Sequence, residues 1–393
     1  MSTEDKDMHT ANRGEGGEGV EEGLEQQMTD LAEVEDATLE RRTSSYSQGQ
    51  LVRRRFFAHK PAMVSLVILL AVTVLAFTSI GFAGLPGWWD KHYLSTGATV
   101  DGGAPTLLHG GNILGEHPFG QENVGRDYFA LVMRGAQQSL IIAVTAGLVS
   151  SIIGITVGAL AGYFRGWVES VLMRLTDFVI VVPLLLIAAI LGQMVQGLPG
   201  GVFPLGVVLG LVTWTGMARL VRAEVLSLRE KEYVAAAIAM GGSPARIILK
   251  HMLPNSVGVI IVNATFAIAA AIILETSLSY LGMGVQRPEA SLGLLIEQYE
   301  NAFGTRPWLF WFPGLFIIAI ALTINFIGDG LRDAFDPRQQ RGGDQRPTLL
   351  SAIGLRGVQQ AFRGRSAAAR AAAGGDGAPP APATRQRPGG TDD

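Results

Sequence analysis

Five stretches of the chain contain no Asp, Glu, Lys or Arg, and they decide what it can fold into. They lie between Lys60 and Asp90, Arg134 and Arg165, Asp177 and Arg219, Lys250 and Glu275, and Arg306 and Asp329. A bilayer core of ~30 Å is crossed by about 20 apolar residues of helix. Each stretch is long enough for one crossing, and that from Asp177 to Arg219 for two. Six spans are expected, near 62–83, 137–162, 176–196, 202–220, 256–281 and 307–328. The fold class is therefore an all-α polytopic membrane protein. Composition agrees: 17% of residues are charged, against about 25% in soluble domains.

Basic residues in short loops set the orientation. Arg53, Arg54, Arg55 and Lys60 precede the first span, so that end is expected in the cytoplasm. The 163–175 loop and the 219–255 loop then fall on the same side, as does the tail after 329. Both termini are expected inside. Residues 84–136 form a long outer segment in which Trp88 and Trp89 suit an interfacial belt. Asp127 to Met133 reads either as the start of an amphipathic helix on the outer face or as a connector. Gly154, Gly158 and Gly162 in the second span let a neighbouring helix approach closely.

The two ends read differently. Residues 1–40 hold thirteen Asp or Glu against Lys6 and Arg13, too charged to bury a core. Residues 1–50 also lack the apolar region of a signal peptide, so none is expected. Residues 366–393 are rich in Ala, Pro and Gly, a composition that stays disordered. The expected organisation has four parts. Residues 1–50 form a disordered acidic cytoplasmic tail, and 51–136 the first span with its outer segment. Residues 137–330 form the membrane core with the cytoplasmic loop at 219–255. Residues 331–393 form a C-terminal tail, mostly disordered.

Cysteine is absent, which removes disulfides, thiolate metal sites and cysteine nucleophiles. No two of the six His have ligand spacing, and none of the five Lys follows a Gly as a phosphate-binding loop requires. ATP, if used, must be bound by another polypeptide. Glu275 is the carboxylate set deepest in an apolar run, and such a charge should face a partner or water. With Ser277 it is a candidate lining of a translocation path. Equally, it could be satisfied near a helix end by backbone, Ser277 or Ser279. A stand-alone proton-coupled carrier centred on Glu275 is the alternative reading, and a membrane-embedded enzyme a third.

The segment EYVAAAIAMGGSPARIILKHMLPN, residues 232–255, has the grammar of a helical hairpin. Glu230 to Met240 is a good helix former. Gly241-Gly242 permits a left-handed cap and a tight turn. Ser243 suits an N-cap and Pro244 the first helical position. A second helix, 244–251, carries Ile247 and Ile248 on one side, and Leu253-Pro254 is expected to stop it. Ala235, Ala236 and Ala237 should offer a thin, smooth surface for a groove on another protein, unless the hairpin merely caps the bundle.

This segment resembles the EAA loop of ATP-binding-cassette importer permeases. HPFGQENVGRDYFALVMRGAQQSL (117–140), AGYFRGWVESVLMRLTDFVIVVP (161–183), ILETSLSYLGMGVQRPEASLG (273–293) and WLFWFPGLFIIAIALTINFIGDGLRDAFDPR (308–338) are similar to the second permease subunit of dipeptide, oligopeptide and nickel importers. The resemblance covers about residues 50–338. The chain departs from the pattern at Ala235, where Glu is preferred. The resemblance implies a type I importer core in the cell membrane, surrounded by lipid. It implies a homologous permease subunit, two ATPase subunits or domains that hold ATP and Mg, and an extracytoplasmic binding protein that delivers a peptide or related solute. It implies no nucleic-acid partner and no cofactor in this chain. Glu232, Ala235, Ala236, Ala237, Gly241, Ser243, Leu253 and Pro254 would couple the chain to its ATPase.

Overall fold

The computed structural model describes residues 48–82, 84–107, 115–199 and 201–336. The stretches 1–47 and 337–393, for which disorder is expected, lie outside the described residues. Helix α1, Gln48–Ala58, was expected to begin as tail and instead leads into α2, Lys60–Ser79. His59 separates them as an N-cap, its Nδ1 accepting from Ala62 N at 3.2 Å. A two-residue antiparallel pair, β1 (Gly81–Phe82) with β2 (Leu85–Pro86), follows the C-terminal end of α2.

Helix α3 runs from Tyr128 to Phe164. It starts before the expected 137 because Asp127 caps it, accepting from Ala130 N at 2.8 Å. The segment 127–133 is therefore the opening of a spanning helix, neither a separate outer helix nor a connector, and the division placed at 136/137 cuts through it. Helix α4, Gly166–Val181, replaces most of the expected 163–175 loop, and α5, Leu184–Met194, follows after an 88° bend. The bend is set by Pro183, which drives Val182 to extended backbone (φ −76°, ψ 129°). The stretch expected as a straight third span is thus sharply bent. The fourth is also bent, by 48°, between α6 (Phe203–Thr213) and α7 (Thr215–Arg229).

Beyond α7 come α8 (Glu232–Ala239) and α9 (Pro244–Ile247). A wide π turn at Ile248–Met252 then leads into α10 (Leu253–Tyr280). Helix α11, Leu292–Tyr299, lies at the end of the bundle away from the α8–α9 hairpin, and α12, Trp308–Phe335, completes the described chain. It continues past the expected end at 328 and the division at 330. Among the described residues, helices α2, α3 and α12 and the continuous helix 244–280 are each long and apolar enough to cross a membrane, and the number is six if each bent pair counts as one span.

Helix α3 is the centre, with α6, α7 and α10 packed on it. The glycine stripe makes this possible. A Cβ on Gly154 would stand 2.5 Å from Met217 Cβ, and one on Gly158 would stand 2.5 Å from Ala218 O. One end of the bundle gathers α1, Arg165, the α8–α9 hairpin and Asp336, through Arg55 Nη1 to Asp336 O at 3.2 Å and the Arg165–Glu230 ion pair. The other gathers residues 84–107 and 115–127 with α11. There Phe119 stacks on Phe312 with ring centroids 3.9 Å apart, and Trp89 Nε1 donates to Asp127 at 3.1 Å. Trp89 is thus turned inward, while Trp88 stays exposed as an interfacial side chain would.

Candidate coupling hairpin

The hairpin is built on the end of α7. Lys231 has extended backbone and its carbonyl accepts from Val234 N and Ala235 N at 3.0 and 3.1 Å, which starts α8. Val234 and Ala237 turn inward. With Ile247, Ile248 and Met252 they form an apolar cluster against Val221, Val225 and Leu228 of α7 and Ala159 and Tyr163 of α3. Glu232, Tyr233, Ala235, Ala236, Ile238 and Met240 face outward, and Met240 at the tip is 82% exposed. Of the three alanines expected on the surface, Ala237 is buried. It takes the inward position because it lies three residues after Val234 on the same helix face.

The turn closes by two reversed bonds, Gly241 N to Ile238 O at 2.9 Å and Gly242 N to Ala237 O at 3.0 Å. This is the Schellman arrangement, and it needs a left-handed residue at the first glycine. Gly241 has φ +78°, and a Cβ on Gly242 would stand 2.8 Å from Ala237 O. Ser243 occupies the N-cap of α9 with extended backbone, yet its hydroxyl makes no capping bond.

Leu253-Pro254 does not stop the second helix. Residues 244–280 form one 37-residue helix. Pro254 has no N–H for the carbonyl four residues back, and the π turn before it, closed by Leu253 N to Ile248 O, carries the chain past without ending the helix. The hairpin and a membrane span are therefore one element.

Two ties hold the hairpin to α3. Arg165, itself at φ +55°, pairs with Glu230, and Arg229 Nη1 donates to Tyr163 O. The Arg165 bond holds the Glu230 carboxyl below the usual glutamate value. In the sequence Arg165 appears only as the end of a charge-free stretch; its φ of +55° at the break between α3 and α4 is visible only in the structure.

Glu275 and Ser277 part company. Glu275 is 0% exposed, accepting from Ser139 Oγ at 2.9 Å and Ser279 Oγ at 2.7 Å. It does not line an open passage. Ser277 is half-buried on another side of α10 and bonds Ile273 O of its own helix at 2.8 Å. Ser139 was not anticipated, because it is 136 residues away in sequence. Among the described residues no group of three or more His, Asp or Glu has metal-holding geometry.

Residues 154–341 match the family described as the inner membrane component of binding-protein-dependent transport systems. Residues 47–86 match the N-terminal transmembrane domain of oligopeptide transport permease C. The chain is 34% identical over 322 residues to the oligopeptide transport system permease protein OppC of Haemophilus influenzae, covering 81% of this chain and 97% of that protein. It is 37% identical over 295 residues to OppC of Mycobacterium tuberculosis, covering 75% and 96%. A solved structure of the inward-facing MetNI methionine ABC transporter covers 52% of this chain and 96% of its own, at 22% identity and a TM-score of 0.44. With more than a third of the aligned residues identical across nearly the full length of such relatives, the chain belongs to the family of inner-membrane permeases of binding-protein-dependent transport.

Proposed function

We propose that this permease is one of two homologous membrane subunits of an ATP-driven importer of oligopeptides, coupled to its ATPase subunits through residues 232–254. The observation that carries the reading is the hairpin. It has a rigid glycine turn, an outward surface of Ala235, Ala236 and exposed apolar side chains, and helix continuity with a membrane span. A small-residue surface lets a partner's groove close tightly on the backbone, and the continuous helix turns that contact into movement of a span. The sequence offers no phosphate-binding loop, so ATP and Mg belong to the partner subunits. ATP-driven approach of those subunits would reorient the pathway as a rigid-body switch.

The peptide class follows the relatives, whose names are those of oligopeptide permeases, and an extracytoplasmic binding protein would deliver the cargo. The hairpin end carries Arg53, Lys60, Arg165, Arg219, Arg222 and Arg246, which supports a cytoplasmic hairpin and cytoplasmic termini. A proton-coupled carrier would need Glu275 within reach of water, whereas its carboxylate is enclosed.

The test is co-purification of the tagged full chain with co-expressed ATPase subunits, wild type against Gly241→Asp. Wild type should retain the ATPase and show turnover stimulated by binding protein and a short-peptide pool, and the variant should lose both. A wild-type chain that retains no ATPase would sink the reading.

A further inference from the structure

We propose that Glu275 is a positioning residue that carries movement of the coupling hairpin to the outer helix α11; this rests on the coupling function proposed above. The carboxylate sits where three parts of the chain meet. Its oxygens orient Ser139 Oγ on α3 and Ser279 Oγ on α10, and Ser291, the N-cap of α11, adds a third hydroxyl. Each hydroxyl oxygen in turn accepts a backbone N–H from the outer segment. Leu292 N reaches Ser139 at 3.3 Å, Val285 N reaches Ser279 at 3.1 Å, and Leu294 N reaches Ser291 at 3.2 Å. A single carboxyl group thus arranges three hydroxyls, and these gather the start of α11.

The backbones leave no slack around it. A Cβ on Gly135 of α3 would stand 3.1 Å from Leu292 N, and one on Gly293 would stand 2.7 Å from Thr276 Cα of α10. The loop leading into α11 is held a second time on α3, where Arg134 and Gln138 reach Glu289 at 2.7 and 2.8 Å. An apolar side chain would fill the space around position 275 at less cost than a buried carboxylate. It would not hold three hydroxyls in one orientation.

The other end of the argument is α10 itself. It continues without a break from Pro244 in the hairpin, so Glu275 lies roughly 45 Å along one helix from the coupling surface at 1.5 Å per residue. A tilt or shift imposed at the hairpin reaches the junction through that helix. There the hydroxyl bonds oblige α11 and the outer end of α3 to follow. Without the carboxylate, α10 would move and α11 would lag.

The experiment uses the full chain assembled with its partner permease, ATPase subunits and binding protein in proteoliposomes, comparing wild type, Glu275→Gln and Ser139→Ala. ATP turnover and uptake of a labelled short-peptide pool are recorded with and without binding protein. The Gln variant should assemble and hydrolyse ATP, while uptake per ATP falls by about five-fold or more, the lower range of coupling between distant sites. Ser139→Ala should fall in the same direction by less. Assembly with uptake per ATP within about two-fold of wild type, in a range where coupling is negligible, overturns the proposal. If the Gln variant fails to assemble, Ser139→Ala decides on the same criterion. A wild-type complex without peptide-stimulated turnover overturns the coupling function instead, and this proposal with it.

Discussion

Gly241 shows how one residue sets the shape of the hairpin. Its φ of +78° is open to glycine and costs another residue about 1 kcal/mol or more. Gly241→Val should therefore loosen the turn locally. Faster hydrogen exchange at the Gly241 and Gly242 amides, with the bundle's melting temperature held, is the expected result. Glu230 gives a prediction in pH. Its folded carboxyl lies below the ordinary 4.5 because Arg165 bonds the ionised form. The stabilisation is complete above that value and is lost as pH falls through the lowered one. Protection of the 229–235 amides should be flat across neutral pH and drop only in acid below 4.5. Arg165→Gln should abolish the drop.

At the scale of elements, close packing and helix phase carry the predictions. Gly158→Leu would push a side chain into the Ala218 carbonyl and Val221, and overpacking of this kind costs about 1–3 kcal/mol. The α3–α7 pair should melt earlier in a detergent thermal scan. Deleting the exposed Leu249 from the π turn should replace it by an α turn and alter how the hairpin is set on α10. Such a chain should fold and insert, yet fail to stimulate its ATPase.

The spans were legible because charge-free runs of that length have few other uses. The glycine turn at 241 was legible from Gly-Gly followed by Ser-Pro. What escaped was geometry that single residues leave open. Pro183 lay inside an apolar run that reads as one crossing, and only its effect on Val182 makes the 88° bend. Pro254 looked like a stop, and the π turn before it turned it into a passage. For Glu275 the nearby Ser277 was a natural partner by spacing, but on a helix two residues apart means different faces. The true partner across the bundle, Ser139, is set by packing of α3 on α10, which no local pattern encodes.

For the whole molecule, the outward side of the hairpin is the surface proposed to meet the ATPase, and it is exposed in this chain. Met240→Glu touches nothing in the interior. It should leave chain stability within about 0.5 kcal/mol while weakening ATPase binding by more than about 1 kcal/mol if Met240 anchors the contact. Titration of purified ATPase onto the permease in nanodiscs would measure it. Unchanged affinity would place the contact elsewhere on the hairpin.

The bent α4–α5 pair has a consequence for handling the protein. Within α4 only Thr176 is buried, and Trp167, Phe178 and Val181 are largely exposed. What fastens α4 to α7 is ionic: Asp177 to Arg219 at 2.6 Å, with both side chains about half exposed, and Glu169 to Arg222 Nε at 2.7 Å. The Debye length shrinks from about 10 Å at 0.1 M salt to about 3 Å at 1 M, so such clasps weaken in concentrated electrolyte while the glycine-packed α3–α7 seam does not. Raising ionic strength during detergent extraction should release α4 first, seen as a change in Trp167 emission with the helix content intact. The choice of extraction buffer thereby decides whether the purified permease keeps its third span docked.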